Sequence, residues 1–239
     1  MAGATLLSLA ALAALAAAHV LGGGLRFLDR TPRSRWLSVG AGVSVAYVFA
    51  HLLPELATAQ REVEESAEGV LPFVEDHVYL VALGGFLLFY GVEITGPRPT
   101  ADDEPGPAAF WLSMGSYAVY NAVIGYLIVQ REDGGGTDLA LFALALALHF
   151  VVNDFGLRQR HQRAYARVGR WLLVSALAGG WAVGRLAELE DPALGLLVAF
   201  LAGGVVLNAI KDELPGERQG RFGAFAAAAI AYGALLQAV

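Results

Sequence analysis

Long apolar stretches recur along the whole of this 239-residue chain, separated by short polar connections. Each stretch has about 20 residues, the length of helix that crosses roughly 30 Å of hydrocarbon. Apolar residues make up 56% of the chain and the mean hydropathy is +0.55, which is too apolar for a soluble domain with a charged surface. We therefore predict an all-α integral membrane protein with one transmembrane domain, residues 1–239.

Eight transmembrane helices are predicted from these stretches, near residues 4–24, 36–56, 74–95, 108–130, 138–157, 168–188, 192–211 and 221–239. The connections between them carry residues that end helices, such as Gly96-Pro97 and Asp191-Pro192. The chain contains no cysteine, which excludes disulfides, thiolate metal sites and cysteine nucleophiles.

The charges on the connections alternate in sign. The first, fifth and seventh connections are rich in arginine and lysine, whereas the second and sixth are acidic. Because basic connections stay on the cytoplasmic side, we predict that the odd-numbered connections lie inside and the even-numbered ones outside. Eight spans then place both termini on the extracytoplasmic side of a multi-pass protein in the cell membrane.

Two predicted spans carry polar residues near their midpoints. Asn121 lies about 12 residues from the inner end of the fourth span, and His149 about 11 residues from the outer end of the fifth, so both are expected near mid-bilayer. Asn153 lies one turn from His149 on the same face, whereas Asp154 lies about 140° around the helix. Ionisable groups are costly in hydrocarbon and usually face a cavity, a partner or a pathway.

Two interpretations account for these polar residues. Imidazole nitrogen together with carboxamide and carboxylate oxygens suits Zn²⁺ or a similar divalent ion, which makes His149, Asn121, Asn153 and Asp154 candidate metal ligands. The same side chains could instead hydrogen-bond between helices, as polar residues commonly do in membrane bundles. The sequence alone does not decide between these two interpretations.

Several other polar residues are weaker candidates. His51 and Glu55 at the outer end of the second span, and His77 before the third, could collect cations at an outer mouth, although solvated helix ends explain them as well. His19, alone in an apolar helix, is expected to be packed or hydrogen-bonded rather than a ligand. An interfacial ion-pair cluster is expected at the inner end of the seventh span, from Lys211, Asp212, Glu213 and Glu217.

Small residues mark positions where helices can approach closely. They occur at Gly40-Ala41-Gly42, Gly84-Gly85, Ala178-Gly179-Gly180 and Gly203-Gly204. Gly179-Gly180 also permits a kink in mid-membrane, a feature that often marks a transport site. Tight static packing explains this glycine pair equally well.

The segments, taken in order, resemble the ZIP (Zrt/Irt-like) divalent metal transporters over nearly the whole chain. His51-Leu52-Leu53-Pro54-Glu55 looks like the family's His-Leu-Leu-Pro-Glu segment, and Tyr120 to Gly125 aligns with its His-Asn-x-x-(Asp/Glu)-Gly motif. His149 to Asp154 aligns with its His-Glu-x-Pro-His-Glu motif. Ser175 to Gly180 aligns with Ser-Gly-Leu-x-Glu-Pro-Leu-Gly, and Asn208 to Glu217 resembles an Asp-Glu-Leu-Leu-Pro-Glu end.

The chain departs from the site that the resemblance implies, a two-metal site built at mid-membrane by the fourth, fifth and sixth spans. Tyr120 and Asn153 stand where the family has histidine, and Ile124, Phe150 and Gly179 stand where it has acidic residues. Two cations a few ångströms apart repel strongly when no carboxylate bridges them. We therefore expect at most one ion, bound weakly.

The resemblance implies a divergent ZIP-like carrier that moves a divalent cation, zinc or similar, or a related small solute into the cytoplasm. It also implies a homodimer in membrane lipid, with the ion as substrate and no permanently bound cofactor. We expect no enzymatic activity and no nucleic-acid partner. One alternative is a non-transporting relative that acts as a membrane sensor or scaffold. Another is an intramembrane zinc hydrolase, for which the chain lacks the usual set of three assembled ligands.

Overall fold

A computed structural model of the chain describes residues 2–22, 25, 34–65, 78–95, 106–132, 135–208 and 221–238. Within these residues the chain is helical and contains no strand. The helices are α1 (Ala2–Gly22), α2 (Arg35–Tyr47), α3 (Leu53–Glu65), α4 (Val78–Thr95), α5 (Pro107–Gln130), α6 (Gly136–Ala164), α7 (Arg170–Leu186), α8 (Asp191–Asn208) and α9 (Phe222–Gln237). A π-helical turn, Val48–Leu52, joins α2 to α3, and another, Tyr165–Gly169, joins α6 to α7.

Local sequence signals set where several helices begin. The Ser34 hydroxyl caps α2 by accepting a hydrogen bond of 3.3 Å from the backbone N–H of Trp36. Pro107 occupies the first turn of α5, where its missing N–H would have no helical partner in any case. Gly135, just before α6, has a φ of 94°, a conformation that glycine adopts without strain.

The chain reverses sharply between α6 and α7. Gln162 breaks the helix, with a φ of 36° and a ψ of −108°. Asp138 at the start of α6 bonds to Arg131, and Arg185 at the end of α7 bonds to the neighbouring Glu132, so the outer limits of both helices lie at one end of the bundle. The arginine-rich segment predicted to connect the fifth and sixth spans contains this reversal, and it is helical on both sides of Gln162.

Helices that run in the same direction pack in pairs: α1 with α6, α2 with α9, α4 with α8, and α5 with α7. Glycine lies at three of these contacts, where a Cβ atom on Gly42, Gly203 or Gly180 would collide with a backbone carbonyl of the partner helix. Small residues allow such close approach in membrane bundles. Helix α7 continues without interruption through Gly179-Gly180, so the pair does not form a kink. Of the two residues, only Gly180 lies against the partner helix.

Two ends of the bundle can be defined. The Arg131 end contains Glu55, Arg131, Glu132, Asp138 and Arg185. The Gln162 end contains the α6–α7 reversal and the starts of α2 and α9, where the Ser38 hydroxyl accepts from the N–H of Arg221. Counting α2 and α3 as one rod, the described residues form eight helical rods that alternate in direction between these ends.

Four helical stretches are long and apolar enough to cross a membrane: Gly3–Gly22, Arg35–Arg61, Pro107–Gln130 and Gly136–Leu186. The last of these includes the reversal and therefore both α6 and α7. Large apolar side chains face outward, with Phe222 78% and Ile230 73% exposed, while polar side chains such as His149, Asn121 and Asp154 are buried. This arrangement is the one expected of a membrane protein, whose exterior contacts lipid.

Some predicted features fall outside the residues that the structure describes. They are His77 and the predicted ion-pair cluster of Lys211, Asp212, Glu213 and Glu217.

Candidate functional site

Three helices contribute to a buried polar cluster that we name the His19 group: His19 of α1, Asn121 of α5 and Asp154 of α6. Nδ1 of His19 lies 3.0 Å from each carboxylate oxygen of Asp154, and its Nε2 lies 2.7 Å from Oδ1 of Asn121. The side-chain amide of Asn121 donates to the carbonyl of Tyr117 at 2.8 Å, which leaves Oδ1 to face His19 as an acceptor. All three side chains are at most 1% exposed.

The geometry of the His19 group pairs its polar atoms with one another. Both ring nitrogens of His19 face side-chain oxygen atoms, one on Asp154 and one on Asn121. A buried carboxylate is tolerated when an opposite charge and hydrogen bonds compensate it. Phe150 stacks on the imidazole ring with 4.3 Å between centroids and closes one of its faces.

A second buried cluster, which we name the His149 group, contains His149, Tyr120 and Asn153. Nε2 of His149 lies 3.0 Å from the Tyr120 hydroxyl and 2.9 Å from Nδ2 of Asn153, which donates to it. Oδ1 of Asn153 is buried, and within the described part of the chain no donor reaches it. This group therefore contains an acceptor oxygen without a hydrogen bond.

The four predicted metal ligands are divided between the two groups. Asn121 and Asp154 bond to His19, whereas His149 and Asn153 bond to each other. The reason is rotation along α6, since consecutive residues differ by about 100° and Asp154 lies roughly 140° from His149. No cluster of three or more His, Cys, Asp or Glu side chains in the described ranges is arranged to hold a metal ion. Metal binding by these residues stays a prediction.

His19 is the member of the site that the sequence did not identify. The expectation that it would be packed or hydrogen-bonded is confirmed, but its partners were not foreseen. One signal was available, because a carboxylate in the apolar interior needs a compensating partner and Asp154 had none within α6. Histidine in another apolar helix is the natural donor for such a carboxylate.

At the Arg131 end, Arg131 joins three helical rods. Its Nη2 atom lies 2.5 and 2.6 Å from the two oxygens of Glu55, and Nη1 lies 3.2 Å from both Oδ2 of Asp138 and Nε2 of His51. The guanidinium also sits 4.6 Å from the centroid of the Phe142 ring. Burial disfavours the charge of Arg131, but a neighbouring tyrosine and the two carboxylates raise its pKa above the usual value.

This ion-pair cluster changes the interpretation of His51 and Glu55. The sequence left open whether they gather cations or are solvated helix ends. Their side chains are only 26% and 29% exposed, and both contact a cation that belongs to the chain itself, Arg131. His51 and Glu55 are therefore not simply solvated residues at a helix end.

A small polar cavity lies between α4, α5 and α8. The Tyr117 hydroxyl donates to Oδ1 of Asn208 across it, at 3.3 Å. Its lining consists of Phe89, Val92, Ser113, Ser116, Tyr117, Leu207 and Asn208. Tyr117 also connects this cavity to the His19 group, because its carbonyl accepts from Asn121.

Comparison with known proteins gives no matching family model and no matching curated sequence. The ZIP resemblance is therefore carried by the motifs of the sequence, and what it implies enters below as a proposal.

Proposed function

We propose that this chain is a ZIP-like membrane carrier that moves one divalent cation, zinc or similar, or a related small solute into the cytoplasm. The observation that carries the proposal is the buried Oδ1 of Asn153, which lacks a donor one helical turn from His149. An unsatisfied buried polar atom costs about 1–3 kcal/mol, a cost that a bound cation or donor would remove. His149, Asn153 and Tyr120 would bind the substrate directly.

All eight rods cross the membrane in this proposal, with the Gln162 end in the cytoplasm and both termini outside. The shorter rods α4, α7, α8 and α9 have 18, 17, 18 and 16 residues. At 1.5 Å per residue they span roughly 24–27 Å, and local bilayer thinning accommodates this length. The arginine-rich reversal supports the cytoplasmic placement of its end.

Single-cysteine labelling tests this topology, because the chain has no cysteine of its own. Gln159 near the reversal and Glu188 after α7 are both exposed. A membrane-impermeant maleimide should label Glu188→Cys from outside intact cells and Gln159→Cys only after the cells are opened. Labelling of both positions from outside would contradict the crossing of α7, and the reverse pattern would invert the orientation.

Calorimetric titration of the purified protein with Cd²⁺ tests the binding site. We expect saturable heat from the wild type and its loss in His149→Ala. His161→Ala is the matched control, because His161 is also a buried histidine but lies next to the reversal, outside both polar groups. Identical heats for the wild type and His149→Ala would show that the His149 group binds no ion.

A non-transporting sensor or scaffold is the second candidate function. It is favoured by the His19 group, in which the polar atoms of His19, Asn121 and Asp154 satisfy one another. Uptake into proteoliposomes distinguishes the two candidates. Saturable cation flux above that of protein-free liposomes would contradict the non-transporting function, and its absence over a panel of divalent cations would support it.

A further inference from the structure

We propose that the His19 side chain occupies a latent cation site formed by Asn121 and Asp154. Three oxygen atoms, Oδ1 of Asn121 and both oxygens of Asp154, converge on the imidazole at 2.7–3.0 Å from its nitrogens. Carboxylate and carboxamide oxygens are the donors that divalent cations take in proteins. In this chain they hold an imidazole ring from α1 instead.

The surroundings of the ring explain why an external cation would not share this site. Phe150 stacks on one face of the ring, and both ring nitrogens lie within 3.0 Å of the oxygen atoms that an ion would use. An incoming ion would therefore have to displace the ring.

His19 would therefore determine the stoichiometry and the selectivity of the carrier. With the ring in place, Asn121 and Asp154 are unavailable, and an ion can bind only at the His149 group. When the ring is removed, the carboxylate of Asp154 loses its hydrogen bond to His19, and a divalent cation can take the vacated position. The inference deepens the proposed function, but it depends on different side chains from those that would bind the substrate.

The test counts Cd²⁺ ions bound per chain in detergent, by equilibrium dialysis with metal analysis. We expect His19→Ala to bind one more equivalent than the wild type, and His19→Ala combined with Asp154→Asn to lose that extra equivalent. His19→Asn is a second, more conservative variant, since its amide can still donate to Asp154 without carrying charge. It should also gain an equivalent, and circular dichroism would establish that each variant is helical.

The outcomes separate this inference from the proposed function. If the wild type binds no Cd²⁺ and His19→Ala binds one, the proposed carrier site fails and the latent site stands. If folded His19→Ala and His19→Asn bind only as much Cd²⁺ as the wild type, the latent site is refuted, whatever His149 binds. An extra equivalent that persists after Asp154→Asn would also refute it.

Discussion

The glycine pair in α7 gives a direct test of how α5 and α7 pack. A Cβ atom on Gly180 would overlap the backbone carbonyl of Ala122 in α5, whereas a Cβ on Gly179 would meet nothing within 4 Å. Gly180→Ala must therefore separate the two helices, and overpacking of this kind costs about 1–3 kcal/mol. Alanine is favoured over glycine in a helix by about 1 kcal/mol at either position. Because that gain is common to both, the difference between the variants isolates the steric cost.

Thermal unfolding in detergent micelles measures this difference. For a chain of this size, 1 kcal/mol corresponds to roughly 2–4 °C in Tm, so Gly180→Ala should unfold about 2–12 °C below Gly179→Ala. Gly179→Ala itself should match or exceed the wild type. Equal Tm values for the two variants would show that α5 and α7 are not in backbone contact. Close packing would then no longer explain the glycine at position 180.

Two further perturbations test the charged and polar clusters. Arg131→Gln should lower the free energy of unfolding by about 1–3 kcal/mol in chemical denaturation, because Arg131 is only 13% exposed and pairs with two carboxylates, Glu55 and Asp138. Arg185 is 37% exposed and pairs with Glu132, so Arg185→Gln should cost less than about 1 kcal/mol, and equal losses would contradict this comparison. Asn153→Asp places a carboxylate beside His149 and should tighten Cd²⁺ binding roughly tenfold or more in calorimetry, since an anionic oxygen attracts the ion far more strongly than an amide. Unchanged affinity would mean that the ion does not bind there.

The positions of the helices along the chain were predictable from the apolar stretches of the sequence. The predicted span at residues 108–130 corresponds to Pro107–Gln130, where a long apolar run follows a proline suited to a helix start. Helix ends were harder to predict when the helix continues into charged residues. Helix α3 extends to Glu65, beyond the predicted end at residue 56, because its last turns are polar but contain good helix formers.

Charged residues that favour helix also explain why the connection after α6 is almost entirely helical. Residues 158–164 are rich in arginine, glutamine and alanine, which favour helix, yet their charge suggested a connecting loop. The break falls on Gln162, a residue type that carries no turn signal of the kind given by glycine or proline. The predicted spans placed the reversal between residues 157 and 168, and the local sequence could not narrow it to one residue.

The sequence predicted that Asn121 and His149 lie at a similar level along the bundle. It did not predict which side chains bond to each other. Counting residues along α5 and α6 brought Asn121 and His149 to a similar depth, and the rotation of Asp154 away from His149 followed from helix geometry. The partner of Asp154 is 135 residues away in sequence. A contact between helices so distant along the chain depends on how α1 packs against α6, which hydrophobic periodicity does not encode.

The two places where the sequence suggested cation binding are both occupied by side chains of the chain itself. Arg131 occupies the position beside His51 and Glu55, and His19 occupies the position between Asn121 and Asp154. Buried carboxylates require compensation, and a tethered side chain supplies it without loss of translational freedom.

The His149 group differs because it contains no carboxylate. A divalent ion entering it would bring uncompensated charge into a low-dielectric bundle, whereas the unsatisfied Oδ1 of Asn153 still favours a donor or a cation. We therefore expect the proposed carrier to bind a single ion weakly. Weak binding is also what a carrier needs, because a substrate held too tightly at mid-membrane would not be released.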